Sequence, residues 1–434
     1  MNFDNRPDVA VGDMNGTIAL MSGGSGTLFW IYIANSATIL SIDLIPDING
    51  DGVPEIIAGA DNDSVYCLSG LVPNMWDPIP EPRLNTPLWI FNTNPAMIAK
   101  KTAGGPPNKK SLSGANSICA IYNNSSAYGI IIGASSNTIF CLSPEKTNKS
   151  PAIKWKCATN GDVWDVKSFP DINNDGINEV LAACGDNKGY LVNGKDGKII
   201  WTHAVDSGAT VVSVIRDQDG DGYADAIIGD GTGKIHCISG KASGVVSQDL
   251  WTYSTDDNQT VTSICNLKDV NANNKDECIF GSTNDSVYVI SSGIKLWSAY
   301  MGGTVTAVSS IADVNNDGIE DVIAISDGSI CTVFKGQGTK ILNINKSNTF
   351  KSPFTDLQIK TNRNKIQVIF DVNTNIAISF SIVDNCGRIV YASRKTLYDK
   401  GTHSFTKKLQ MSSGNYFLIV KTGNKTIQQK FPFF

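Results

Sequence analysis

The chain has 434 residues, 41% of them hydrophobic and 18% charged, with a formal net charge of −5. That length exceeds one ordinary core, so it implies two or more domains or one large array of repeats, and no apolar run is long enough to cross a bilayer as a helix. Ten cysteines and three histidines form no HExxH, CxxC or CxxCH pattern, which removes most support for zinc, haem or a histidine-based triad.

Met1 is followed by NFDNRPDVAV, with neither a basic start nor an apolar core, so no secretory signal peptide is visible. Seven related segments then follow. Aligned on Gly12, Gly59, Gly133, Ala183, Gly229, Gly281 and Ile325, they are spaced by 47, 74, 50, 46, 52 and 44 residues. Periods of about 40–50 residues mark propeller blades or related arrays. The long interval holds GLVPNMWDPIPEPRLNTP and NPAMIAKKTAGGPPNKKSLSG, which read as loops inserted at about 70–117.

Each segment predicts four short antiparallel strands. A first strand such as TVVSVI enters an acidic loop; EIIAGA or DAIIGD makes the second and SVYCLSG or KIHCISG the third. The fourth carries Trp30, Trp89, Trp155, Trp201, Trp251 or Trp297. These tryptophans read as packing between blades, with a stacking platform for a ligand as the alternative. Cys67, Cys141 and Cys237 share a position with Leu20, Leu191, Val289 and Val333, so they read as core hydrophobes rather than a bridge framework.

The acidic loops repeat one pattern: oxygen-bearing side chains at positions 1, 3, 5 and 9. The copies are Asp47, Asn49, Asp51 and Glu55; Asp171, Asn173, Asp175 and Glu179; Asp217, Asp219, Asp221 and Asp225; and Asp313, Asn315, Asp317 and Asp321. Glycine at position 6 permits a sharp turn, and Val53 at position 7 would add a carbonyl. Hard cations such as Ca²⁺ take six to eight oxygens at flexible geometry, which this spacing can wrap around one point. Asp269, Asn271, Asn273 and Glu277 make a weaker copy, because Asn273 replaces an acid and Asn274 replaces glycine. The third copy has Ile121, Asn123, Ser125 and Gly129 and is expected to hold no metal. Ordinary Asp/Asn/Gly turns are the alternative.

Charge agrees with a cation. From Lys351 onward there are 13 basic and 4 acidic residues, a balance of +9, which leaves −14 for the first 350. The five loops hold 15 carboxylates; five calcium ions would bring the chain from −5 to about +5 and relieve repulsion within each loop.

These loops and strands resemble the VCBS and FG-GAP repeat families, in which a DxDxDGxxD loop joins the first two strands of a blade and holds calcium. The ends VYCLSG to LW also resemble quinoprotein-like propeller repeats. The resemblance covers about 1–345 and implies an all-β, seven-bladed β-propeller with structural calcium. The first copy places Asn2, Asp4 and Asp8 on positions 3, 5 and 9 and lacks an inner strand, so the first blade is incomplete and the chain reads as part of a longer gene product, with any signal peptide upstream.

Residues 350–434 predict a small Ig-like β-sandwich. Ile382 to Tyr391, Gly414 to Val420, and Lys430 with Phe431 resemble the C-terminal sorting domain of the type IX secretion system, whose meaning is an address to the cell surface or medium; an ordinary Ig-like binding module is the alternative. No aromatic-interleaved basic motif suggests nucleic acid. The expected function is a secreted or cell-surface, calcium-stabilised, non-enzymatic module that binds or adheres to a glycan or protein. A propeller enzyme, such as a polysaccharide lyase or quinoprotein dehydrogenase, is the alternative, and an envelope-assembly scaffold a third.

Overall fold

Short runs of β-branched and aromatic residues punctuated by Gly, Asn and Asp favour strands joined by tight turns, and the computed structural model consists of such strands. It describes residues 7–34, 37–72, 83–93, 114–123, 126–144, 150–242, 248–255, 257–328, 330–338, 340–345, 354–362, 365–372, 375–384, 389–408, 414–422 and 425–433. No helix occurs among them, and so none long and apolar enough to cross a membrane. Two compact units result, Met1–Ile344 and Asn345–Phe434.

Among the described residues the first unit contains seven four-stranded sheets. Six follow the repeat, as in Ala209–Ile215, Asp225–Asp230, Lys234–Ile238 and Asp249–Ser254, each strand antiparallel to the next. The first strands stand side by side from Ile39–Ile45 through to Val305–Ile311. A serine or aspartate oxygen on one first strand accepts a backbone N–H of the next: Ser41 from Ile118, Ser117 from Val166, Asp165 from Val212 and Ser263 from Val308, at 3.1–3.2 Å. Strand edges that would otherwise be orphaned are satisfied this way.

The first sheet differs. Val9–Gly12, Thr17–Met21 and Leu28–Ile33 are the second, third and fourth strands of the repeat, and no strand pairs with the inner edge of Val9–Gly12 among the described residues. Its fourth member is Arg83–Leu84, which runs parallel to Leu28–Ile33 with Trp30 opposite Arg83. The insertion therefore contributes to a sheet, and Pro87–Asn92, carrying Trp89, closes the second one. Residues 73–82 and 94–113 of the insertion, with Asn2 and Asp4, lie outside the described residues.

The core sits between sheets. Six apolar clusters each draw on two consecutive sheets; one joins Cys119, Ile131, Cys141 and Trp155 to Val166, Val180, Tyr190 and Val192. Tryptophan is the repeated contact. The indole N–H of Trp155 donates to Gly194 O at 2.8 Å, that of Trp201 to Gly240 O at 3.3 Å and that of Trp297 to Gly336 O at 2.8 Å, each time reaching the next sheet. The nine described cysteines are unbridged, seven of them buried.

In the second unit a three-stranded sheet (Phe354–Asn362, Lys365–Val372, Gly401–Lys408) and a five-stranded sheet built on Ile376–Asp384 and Gly414–Thr422 enclose one core, in which Phe370 meets Phe380 at 5.0 Å between ring centres. Ile389 pairs with Val383, and Phe431 is buried; residues 385–388 of the motif lie outside the described residues.

Candidate functional site

Position 1 of each acidic loop organises the turn. Asp47 accepts backbone N–H groups of Asn49, Gly50 and Asp51 on one oxygen and of Gly52, at 2.7 Å, on the other. Asp171 likewise takes Asp175 and Gly176, Asp217 takes Gly220 and Gly222, Asp269 takes Asn273 and Asn274, and Asp313 takes Asp317 and Gly318. Position 5 closes the second half: the N–H groups of Val53, Ile177, Tyr223, Lys275 and Ile319 donate to Asp51, Asp175, Asp221, Asn273 and Asp317.

Position 9 is where strand and loop meet. Glu55, Glu179, Asp225, Glu277 and Asp321 open the second strand opposite the last residue of the first, and all five are fully buried. One carboxylate oxygen accepts the position-2 N–H from Ile48, Gln218, Val270 and Val314 in four loops, at 2.6–2.8 Å. The side-chain amides of Asn49, Asn173 and Asn315 donate to Glu55, Glu179 and Asp321.

Such placement sets the electrostatics. Burial pushes Glu55 up to about 7, helped by Asp51 and Asp47; Glu179 also reaches about 7, with Asp175 and Asp171 beside it. Burial raises Glu277 to about 7 and Asp225 to about 6, with neighbouring acids adding to both. Asp47, Asp217 and Asp313 move the other way, held below the usual carboxylate range by N–H donors of Gly52, Gly220 and Gly318.

Asp47, Asp51 and Glu55 bring one oxygen each within 4.8 Å of one another, and so do Asp217, Asp219 and Asp225. Asp221 is not in that triad, and among the described residues the carboxylates of the other three loops form none. In the third copy Ile121 pairs with Gly129 and Asn123 with Ser126, so the two strands stay paired over positions that form the loop in the other copies; Ser125 lies outside the described residues.

Position 4, which the spacing did not single out, is as demanding as position 6. Gly50, Asn174, Gly220, Ala272 and Asn316 all have positive φ, from 58° to 87°. Alanine is the misfit, since a left-handed L-residue costs roughly 1–2 kcal/mol that glycine avoids. Ala272→Gly is expected to stabilise the chain by about 1 kcal/mol, read as a higher urea midpoint with unchanged slope; a lower midpoint would contradict this backbone geometry.

Two further groups lie outside the acidic loops. Trp164, out of phase with the fourth-strand tryptophans, is 46% exposed. It lines a cavity of about 350 Å³ among first strands, with Ser41, Asn116, Ser117, Asp165 and Lys167. His203 and His236, single in sequence, meet on neighbouring sheets beside Asp249.

The chain is similar in structure to Sqt1 of Saccharomyces cerevisiae, with a TM-score of 0.59 and 12% identity over 84% of this chain and 90% of that one. It is also similar to Chaetomium thermophilum Sqt1 bound to the N-terminus of the ribosomal protein L10, with a TM-score of 0.55 and 11% identity over 83% and 89%. The fold is a β-propeller. BamB from Moraxella catarrhalis aligns with a TM-score of 0.48 and 14% identity over 85% and 94%. No protein-family model and no curated protein matches the chain. At these identities the likeness is one of fold, and function has to come from the sites.

Proposed function

We propose that the chain is a calcium-stabilised propeller, secreted or held at the cell surface, that binds a protein partner without catalysing a reaction. The observation that carries the metal is the set of buried position-9 acids: Glu55 and Asp225 each bring an oxygen within 4.8 Å of two other carboxylates of their loops, and Glu277 Oε1 is buried with no hydrogen-bond partner. Their residues fit a hard cation, which takes oxygens from carboxylates, amides and carbonyls. In each loop positions 1, 3, 5 and 9 would hold it, with the position-7 carbonyl, such as that of Val53. Bound calcium supplies charge compensation and rigidity there, and it leaves the propeller face for recognition.

For recognition the best-suited surface is the cavity at Trp164. A large exposed aromatic beside hydroxyls and an ion pair, Lys167 with Asp165 at 3.2 Å, has the makings of an interface anchor. The C. thermophilum Sqt1 structure, a propeller holding the end of another protein, supports a protein partner. Trp164→Ala is expected to change stability by no more than about 0.5 kcal/mol while weakening, at least tenfold, peptides selected on the native chain from a random library. Selected peptides indifferent to the substitution would contradict this face. Glycan-array signals lost with Trp164, in the absence of peptide binders, would move the partner to carbohydrate.

The second unit is proposed to be a type IX sorting domain, supported by its sandwich of strands and by Phe431 in its core. Deleting residues 350–434 is expected to leave the protein inside the producing cell; unchanged export would remove that address.

A further inference from the structure

One contact between sheets pairs two histidines where three of its counterparts pair aromatic rings. Two residues after Trp30, Trp89 and Trp251 an aromatic ring meets a third-strand ring of the next sheet: Tyr32 with Tyr66 at 5.3 Å between ring centres, Phe91 with Phe140 at 5.8 Å and Tyr253 with Tyr288 at 6.3 Å. Between the fourth and fifth sheets the pair is His203 and His236, 5.1 Å apart and both buried. Asp249 joins them from a position that carries Leu28, Pro87, Ile153, Ile199 or Lys295 in other sheets.

The three donor atoms make a small triangle. His203 Nε2 lies 3.3 Å from His236 Nδ1 and 3.2 Å from Asp249 Oδ1, and His236 Nδ1 lies 2.9 Å from that oxygen. At most two N–H protons can occupy these edges, so one edge always opposes two hydrogens or two lone pairs. A cation attracts all three. Behind the ring stands Asp230, fully buried: one oxygen accepts from Thr232 and Lys234, while Oδ2 has no hydrogen-bond partner and faces the likewise unpartnered His236 Nε2 at 3.8 Å.

We propose that His203, His236 and Asp249 form a binding site for a zinc-class transition-metal ion that pins the fourth sheet to the fifth, with Asp230 orienting His236. Tetrahedral zinc with bonds of about 2.0–2.1 Å separates its ligands by about 3.3–3.4 Å, close to the triangle found. Two imidazoles and a carboxylate suit zinc, cobalt or nickel rather than calcium. A carboxylate behind a ligating histidine fixes the tautomer that presents Nδ1 to the metal. Asp249, 31% exposed in its side chain, gives an entry route and leaves the fourth position to water.

The test uses the full chain, stripped of metal and returned to saturating calcium so that the acidic loops do not contribute, then titrated with Co²⁺ and followed by visible absorption. One equivalent is expected to give the intense bands of tetrahedral cobalt, displaced by Zn²⁺. Joint replacement His203→Tyr and His236→Tyr, which installs the tyrosine pair found between the fifth and sixth sheets, is expected to abolish them. Asp249→Asn, which removes a charged ligand, is expected to weaken binding, and Asp230→Asn to weaken it by about 10–100-fold. Absence of the bands at one equivalent, or bands that survive the double replacement, would overturn the site. Should that variant not fold, unchanged cobalt affinity in Asp249→Asn would overturn it alone.

Discussion

Stripping calcium from the purified chain is expected to lower its thermal midpoint by roughly 15 °C, and restoring calcium is expected to recover it. A cation at a hundred times its dissociation constant stabilises by about 2.7 kcal/mol per site, so five occupied loops contribute on the order of 10 kcal/mol. A unit of this size moves by about 2 °C or less per kcal/mol. Magnesium is expected to substitute poorly, because it demands a tighter octahedron and sheds water reluctantly. The effect reaches beyond the loops. Asp225 accepts the N–H of Gly240, and the carbonyl of Gly240 holds the indole of Trp201 from the preceding sheet. Glu179, Gly194 and Trp155 repeat the relay. An ion that fixes the position-9 acid therefore also fixes the contact between sheets. A midpoint that moves by less than about 2 °C would separate this fold from calcium.

The second large effect is a reversal of pH dependence. Glu55, Glu179 and Glu277 sit at about 7 and Asp225 at about 6, all above their ordinary values. Between roughly pH 4.5 and 7 the calcium-free folded state binds more protons than the unfolded chain at these four groups, so stability falls as pH rises, by up to about 1.4 kcal/mol per pH unit for each group. Asp47, Asp217 and Asp313 act oppositely, their contribution being lost only as pH falls below the ordinary carboxylate range. The calcium-free chain is thus expected to be most stable near pH 4–5. Calcium requires the ionised acids, so in its presence stability is expected to rise from pH 5 to 7. Midpoints measured across that range with and without calcium should give slopes of opposite sign; parallel curves would contradict the placement of these acids.

Where the loops and strands fall was legible because period and spacing are properties of the chain itself. Asp47, Asn49, Asp51 and Glu55 sit in one phase with the strands around them, and Glu55 takes its place opposite Ile45 as alternation requires. What escaped depends on backbone conformation or on contacts between sheets. Position 4 carries Gly, Asn or Ala, a mixture with no evident pattern until the shared positive φ is seen. His203 and His236 are 33 residues apart on different sheets; only their common phase, two after Trp201 and one before Cys237, could have paired them. Arg83–Leu84 lay hidden in a Pro- and Gly-rich insertion, because parallel pairing on an outer edge needs no alternating pattern. Trp164 carried a usable signal, a tryptophan on a first strand where no repeat requires one.

The most direct measurement is anomalous X-ray scattering from crystals grown with calcium. Peaks of calcium strength are predicted within the loops at Asp47, Asp171, Asp217 and Asp313, with a weaker one at Asp269; featureless maps at all five would contradict the account.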